Sequence, residues 1–136
     1  MNVLTDKLVR EYKTEDPFEL AERMDITVHY HELLGTNGYY LLYKGKKNIV
    51  VNKNLERHLQ KFIVAHEIGH SVLHPDTNAF LLSDTLFPTD RQEIEADKFA
   101  INLLLPDSLV HAHKDRTIDD WASILGLPRE ILELRF

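Results

Sequence analysis

An α+β fold is predicted, with a small three-stranded antiparallel sheet packed against a helical body. Three observations lead there. Alternating, β-branched stretches are confined to residues 26–52, helical periodicity fills most of the remainder, and one central helix is apolar on two faces. A chain of 136 residues suits one domain. No linker or low-complexity tract divides it, and its sections are N-terminal helices and sheet over 2–52, central helices over 54–105, and a C-terminal helix pair over 117–135.

Each element has its own warrant. Val3, Leu4, Leu8 and Tyr12 recur at helical spacing, so residues 2–13 read as a short amphipathic helix. Asp16, Pro17 and Glu19 supply an N-cap, a first-turn proline and a capping box for a second helix over Pro17–Met24. ITVHY from Ile26 alternates like a strand, and YYLLY and NIVVN flank the turn Lys44-Gly45-Lys46-Lys47 as a hairpin. Asn54 offers a cap to a helix running to about Leu73. His74–Pro88 reads as loop, with NAFLL at 78–82 able to form a short edge strand. A further helix spans Asp90–Leu105 and stops at Pro106, and Thr117 caps a last helix pair broken at Gly126-Leu127-Pro128.

Composition narrows the function. Sixteen basic against 22 acidic side chains give a net charge of −6, which argues against sequence-independent nucleic-acid binding. No apolar run approaches the roughly 18 residues of a membrane span, and MNVLTDKLVREYKTED is polar where a signal peptide needs an apolar stretch. A cytoplasmic protein without membrane association is expected. The chain has no cysteine and eight histidines, so any metal site must be built from imidazoles and carboxylates.

The central helix carries His66-Glu67-Ile68-Gly69-His70, an HExxH motif. Histidines at i and i+4 lie about 40° apart around the axis and about 6 Å apart along it. Both imidazoles can therefore converge on one metal ion, as tetrahedral zinc requires. Glu67 sits on the rim of that face, where its carboxylate can take a proton from water at the metal. The three lie among Phe62, Ile63, Val64, Ile68, Val72 and Leu73. Burying them unpaired would cost several kcal/mol, a cost that a metal removes. Gly69 leaves bare backbone beside the site, where another element can approach closely.

A catalytic zinc set needs a third protein ligand. His74 continues the i, i+4 series but lies about 12 Å along the axis from His66. Glu93 is the better candidate. It shares a helix face with Asp97, Ala100 and Leu104, whereas Glu95 points nearly opposite with Lys98 and Phe99. Asp97, one turn beyond, can accept the far N–H of a ligand histidine. Two competing readings stand beside it: Asp90-Arg91-Gln92-Glu93 is also a capping box, and Glu95 is a rival ligand.

FIVAHEIGHSVLH (62–74) and EIEADKFAINLLLP (93–106), together with PFELAERMDITV (17–28), resemble the ImmA/IrrE-type metallopeptidases. The resemblance covers most of the chain and implies a zincin-like domain. Carried over by position, it implies His66, His70 and Glu93 as metal ligands and Glu67 as catalytic base. It also implies a partner. Phage and mobile-element members of the family act as anti-repressors by cleaving a helix-turn-helix repressor, and other members control stress responses through one.

The function expected is therefore that of a metal-dependent endopeptidase acting on such a repressor, with zinc as cofactor and manganese or iron as alternatives. The rival is a metal-stabilised binding module that inactivates the repressor by sequestration. Ala122, Gly126 and Ile131 have helix-turn-helix spacing, but Arg129 and Arg135 are balanced by Glu130 and Glu133, so a packing element is expected rather than a DNA reader. His111, His113, Tyr39 and Tyr40 are candidates to stabilise an oxyanion, and His29 and His31 share an exposed strand face.

Overall fold

The computed structural model describes residues 3–75 and 90–136. Helix α1 (Val3–Tyr12) buries Leu8, and α2 (Pro17–Arg23) buries Leu20 and Ala21. Asp16 caps α2 as expected, its carboxylate accepting from the Phe18 N–H at 3.3 Å. Glu19 leaves the capping box open and pairs with Arg23 one turn on.

Strands β1 (Ile26–His31), β2 (Gly38–Tyr43) and β3 (Lys46–Asn52) form one sheet in the order β1-β3-β2. β2 and β3 make the expected antiparallel hairpin. β1, however, pairs with β3 in parallel, from Ile26 opposite Lys47 to His31 opposite Asn52. The sheet is mixed, which corrects the antiparallel expectation. The reason lies in burial. Ile49, Val50 and Val51 of β3 are all buried, so β3 takes the centre. The segment between β1 and β3, which contains β2, serves as the crossover that a parallel pair requires.

The second half is helical: α3 (Arg57–Leu73), α4 (Asp90–Leu104), α5 (Asp107–Ala112), α6 (Ile118–Leu125) and α7 (Arg129–Glu133). Asn54 does not cap α3. Its N–H bonds to Asn52 Oδ1 in a turn, and the helix starts after Glu56, which makes no side-chain cap. α5 follows at once, because Pro106 both ends α4 and serves as the N-cap of the next helix. Thr117 forms a full capping box with Asp120, and Gly126 closes α6 in the left-handed conformation. The possible strand at 78–82 and the side chain of Asp90 lie outside the described residues. No helix among the described residues is long and apolar enough to cross a membrane.

Helix α3 lies between two layers, with α2, β2 and β3 on one side and α4 on the other. That accounts for its two apolar faces: Phe62, Val64, Ala65 and Ile68 are all buried. α4 buries Ala96, Phe99, Ala100, Ile101 and Leu103, a wider arc than a single stripe, because it also touches α1 and α7. Phe99 faces inward against α3, contrary to the helical-wheel expectation. It packs on Gly69, where a Cβ would lie 3.1 Å from Phe99 Cβ and Cδ1. Phe99 is fully enclosed and has little room to retreat. Overpacking usually costs about 1–3 kcal/mol and a mid-helix Gly→Ala regains about 1 kcal/mol of propensity, so Gly69→Ala is expected to destabilise the fold by up to about 2 kcal/mol. A lowered urea midpoint at unchanged slope would show this, and an unchanged midpoint would mean that α4 yields.

Candidate metal centre

The local geometry of α3 brings His66 and His70 onto one face, with ring centroids 4.8 Å apart. α4 crosses that face and presents Glu93 between them. Its Oε2 lies 3.0 Å from His66 Nε2, and its Oε1 lies 3.0 Å from His70 Nε2. Both Glu93 oxygens are therefore engaged with histidines rather than turned back to cap the helix. Asp97, one turn along, accepts from His66 Nδ1–H at 2.8 Å, so the other ring nitrogen is turned toward Glu93.

Glu67 lies beneath this group, only 3% exposed, and its Oε1 has no hydrogen-bond partner. One ligand atom from each of His66, Glu67 and His70 falls within 4.8 Å of the others. Two carboxylates thus compete for the histidine pair. Glu93 engages both Nε2 atoms, whereas Glu67 keeps one oxygen free of any bond. Burial pushes the Glu67 carboxyl up, against the opposing charges of His66 and His70. Hydrogen bonds from His66 and His70 hold Glu93 well below the usual carboxylate range. For His66, burial alone would lower the pKa. Hydrogen bonds to Asp97 and Glu93, reinforced by the charge of Glu67, outweigh burial and push it up to about 10.

These residues suit a divalent cation. Two imidazole nitrogens and two carboxylate oxygens converge within 3.0 Å contacts, and such a set requires positive charge among its members. Imidazole and carboxylate are donors of the class that zinc, manganese and iron accept. The orphaned oxygen of Glu67 beside them adds a buried acceptor with nothing described to accept from.

A cleft of about 730 Å³ opens onto the group, with His66, Glu67, Glu93 and Asp97 at one end and Leu33, Leu34, Phe62 and Ile63 along its apolar wall. The wall from the 33–38 segment was not foreseen. Its one signal was a Leu-Leu pair inside a Gly/Asn-rich turn, and Leu34 is in fact 93% exposed. Gly38 lets this segment come down onto α3, since a Cβ there would lie 2.6 Å from Ile63 Cγ2.

The other singled-out residues are dispersed. Tyr39 lines the cleft, whereas Tyr40 is buried and donates to the Pro75 carbonyl at 3.2 Å. His113 packs edge-on against Trp121, and His111 is exposed in the last turn of α5; neither lines the cleft. His29 bonds to Asn48 and stacks on His31 along β1. Arg129 pairs with Asp119 and Glu133, and Arg135 pairs with Asp107.

Residues 21–136 match the family described as the IrrE N-terminal-like domain. The chain is 40% identical over 136 residues to Uncharacterized immunity region protein 2 of Bacillus phage phi105, an alignment covering 95% of this chain and 84% of that protein. It is 29% identical over 109 residues to Metallopeptidase ImmA of Bacillus subtilis (strain 168), covering 76% of this chain. The chain spans 62% of that relative's length. The histidine pair of α3, the acidic helix laid across it and a family match that takes in both together have one reading: the chain belongs to the ImmA/IrrE family of metallopeptidases.

Proposed function

We propose that this protein is a metal-dependent endopeptidase whose substrate is a helix-turn-helix transcriptional repressor. The observation that carries the hydrolytic reading is the pair of unlike carboxylates at the histidines. Glu93 is bound to both Nε2 atoms, while Glu67 is buried with an oxygen to spare. His66, His70 and Glu93 would hold the cation, with zinc the first choice for three nitrogen and oxygen donors. When bound, the cation supplies Lewis acidity, polarising the scissile carbonyl and making water easier to deprotonate.

The chain's own residues do the rest. Glu67 accepts the proton that water sheds as its oxygen attacks the carbonyl carbon. It then delivers that proton to the amide nitrogen as the C–N bond breaks, so a new carboxyl and an amine leave. Asp97 keeps the His66 ring in one tautomer and orientation throughout. The apolar wall of Leu33, Leu34, Phe62 and Ile63 borders the space where a peptide would lie. The repressor as substrate is supported by the phage immunity-region protein among the relatives, and the cytoplasm, where such a repressor works, is the proposed location.

Co-expression with a helix-turn-helix repressor encoded beside this protein tests the reading. Intact-mass spectrometry is expected to find the repressor as discrete fragments, cut at one or a few sites in an extended segment. In lysate, a chelator should stop the cutting. Repressor that stays intact yet leaves its operator would instead establish sequestration.

A further inference from the structure

His74 and Glu95 both fall outside the ligand set, yet the fold brings His74 against His70 and Glu95 against His74. α3 ends at Leu73. His74 is its C-cap, bonded through its backbone N–H to the His70 carbonyl, and its φ of −134° and ψ of 56° leave the helix. That departure folds the side chain back along the last turn. His74 Nδ1 lies 3.1 Å from His70 Nδ1, on the far side of the ring from Glu93. The side chain is only 10% exposed, and its Nε2 lies 3.7 Å from Glu95 Oε2. Glu95 is held in turn by Arg91, Nε to Oε1, at 3.3 Å.

With a cation in place of the proton between His70 Nε2 and Glu93, one assignment of protons fits the contacts on the other side of the ring. For His70 to offer a lone pair at Nε2, its single proton must sit on Nδ1. The atom facing that proton, His74 Nδ1, must then be the acceptor. The proton of neutral His74 therefore sits on Nε2, directed at the Glu95 carboxylate. At 3.7 Å that last contact is electrostatic rather than a hydrogen bond. From this geometry we infer that His74 is a positioning residue for the metal centre, fixing the tautomer and ring orientation of His70 and itself oriented by Glu95. It does for His70 what Asp97 does for His66, with one difference. His66 leans on a formal anion, whereas His70 leans on a neutral imidazole.

This inference rests on the ligand roles proposed for His66, His70 and Glu93, and its test separates the two. Zinc affinity is measured by chelator competition on purified wild type, His70→Ala, His74→Phe and His74→Gln. Phe retains a ring in the space but cannot accept from His70, whereas the Gln side-chain oxygen can. His74→Phe is expected to bind zinc about ten- to a hundred-fold more weakly, the usual penalty for losing such a support. His74→Gln should recover most of that loss. In the zinc-loaded wild type, long-range proton–nitrogen NMR should place the His70 proton on Nδ1 and the His74 proton on Nε2. Wild-type affinity in His74→Phe, or equal losses in Phe and Gln, would overturn the role of His74 while leaving the metal site intact. Zinc bound equally by wild type and His70→Ala would overturn the metal site, and this inference with it.

Discussion

Replacing Glu67 with Gln is expected to lower the rate of repressor cleavage by about 10²–10⁴-fold, the contribution of a positioned general base. An amide of the same shape cannot accept the proton from attacking water. The substitution should not harm the fold. Glu67 is buried, with Oε1 bonded to nothing described, so a neutral amide removes a desolvated charge and breaks no described bond at that oxygen. The melting temperature of Glu67→Gln is expected to match or exceed that of the wild type, with metal content unchanged. This combination separates catalysis from stability: lost cleavage with a raised or equal melting temperature locates the defect in proton transfer. Cleavage at the wild-type rate would remove Glu67 from the mechanism.

Removing Glu93 should strike one step earlier. Glu93→Ala deletes the carboxylate whose two oxygens lie 3.0 Å from the two histidine Nε2 atoms, leaving the imidazole pair without its third ligand. Two neutral nitrogen donors on one helix turn do not make a closed catalytic set. Elemental mass spectrometry should find about one metal per chain in the wild type and background levels in Glu93→Ala. His111→Ala, an exposed change away from the cleft, should keep its metal. Full metal content in Glu93→Ala would reassign the third ligand, with Glu67 as the next carboxylate within reach.

Much of the site was legible because it is local. The i, i+4 pair His66 and His70, the buried Glu67 between them, and the one-turn interval from Glu93 to Asp97 follow from helical pitch alone. The structure brings these residues into one group. The caps at Asp16 and Thr117 and the β2–β3 hairpin were readable for the same reason: each is settled within a few residues.

What the sequence could not decide was set by burial summed over the whole core. Strand alternation marks which residues form β1, but not that it runs parallel beside β3. That order follows from Ile49, Val50 and Val51 needing cover on both sides. A helical wheel placed Phe99 on the far side of α4. Only the docking of α4 on α3 turned Phe99 inward and seated it on Gly69. His74 looked like a failed ligand by its distance along α3, and Glu95 like a weaker rival by its direction on the wheel of α4. Their meeting depends on how α3 ends and how α4 crosses it. Helical pitch is a property of the backbone and was therefore legible in the sequence. Which elements meet, and which outer groups support the ligands, depends on many weak apolar contacts acting together, and so was decided by the tertiary structure.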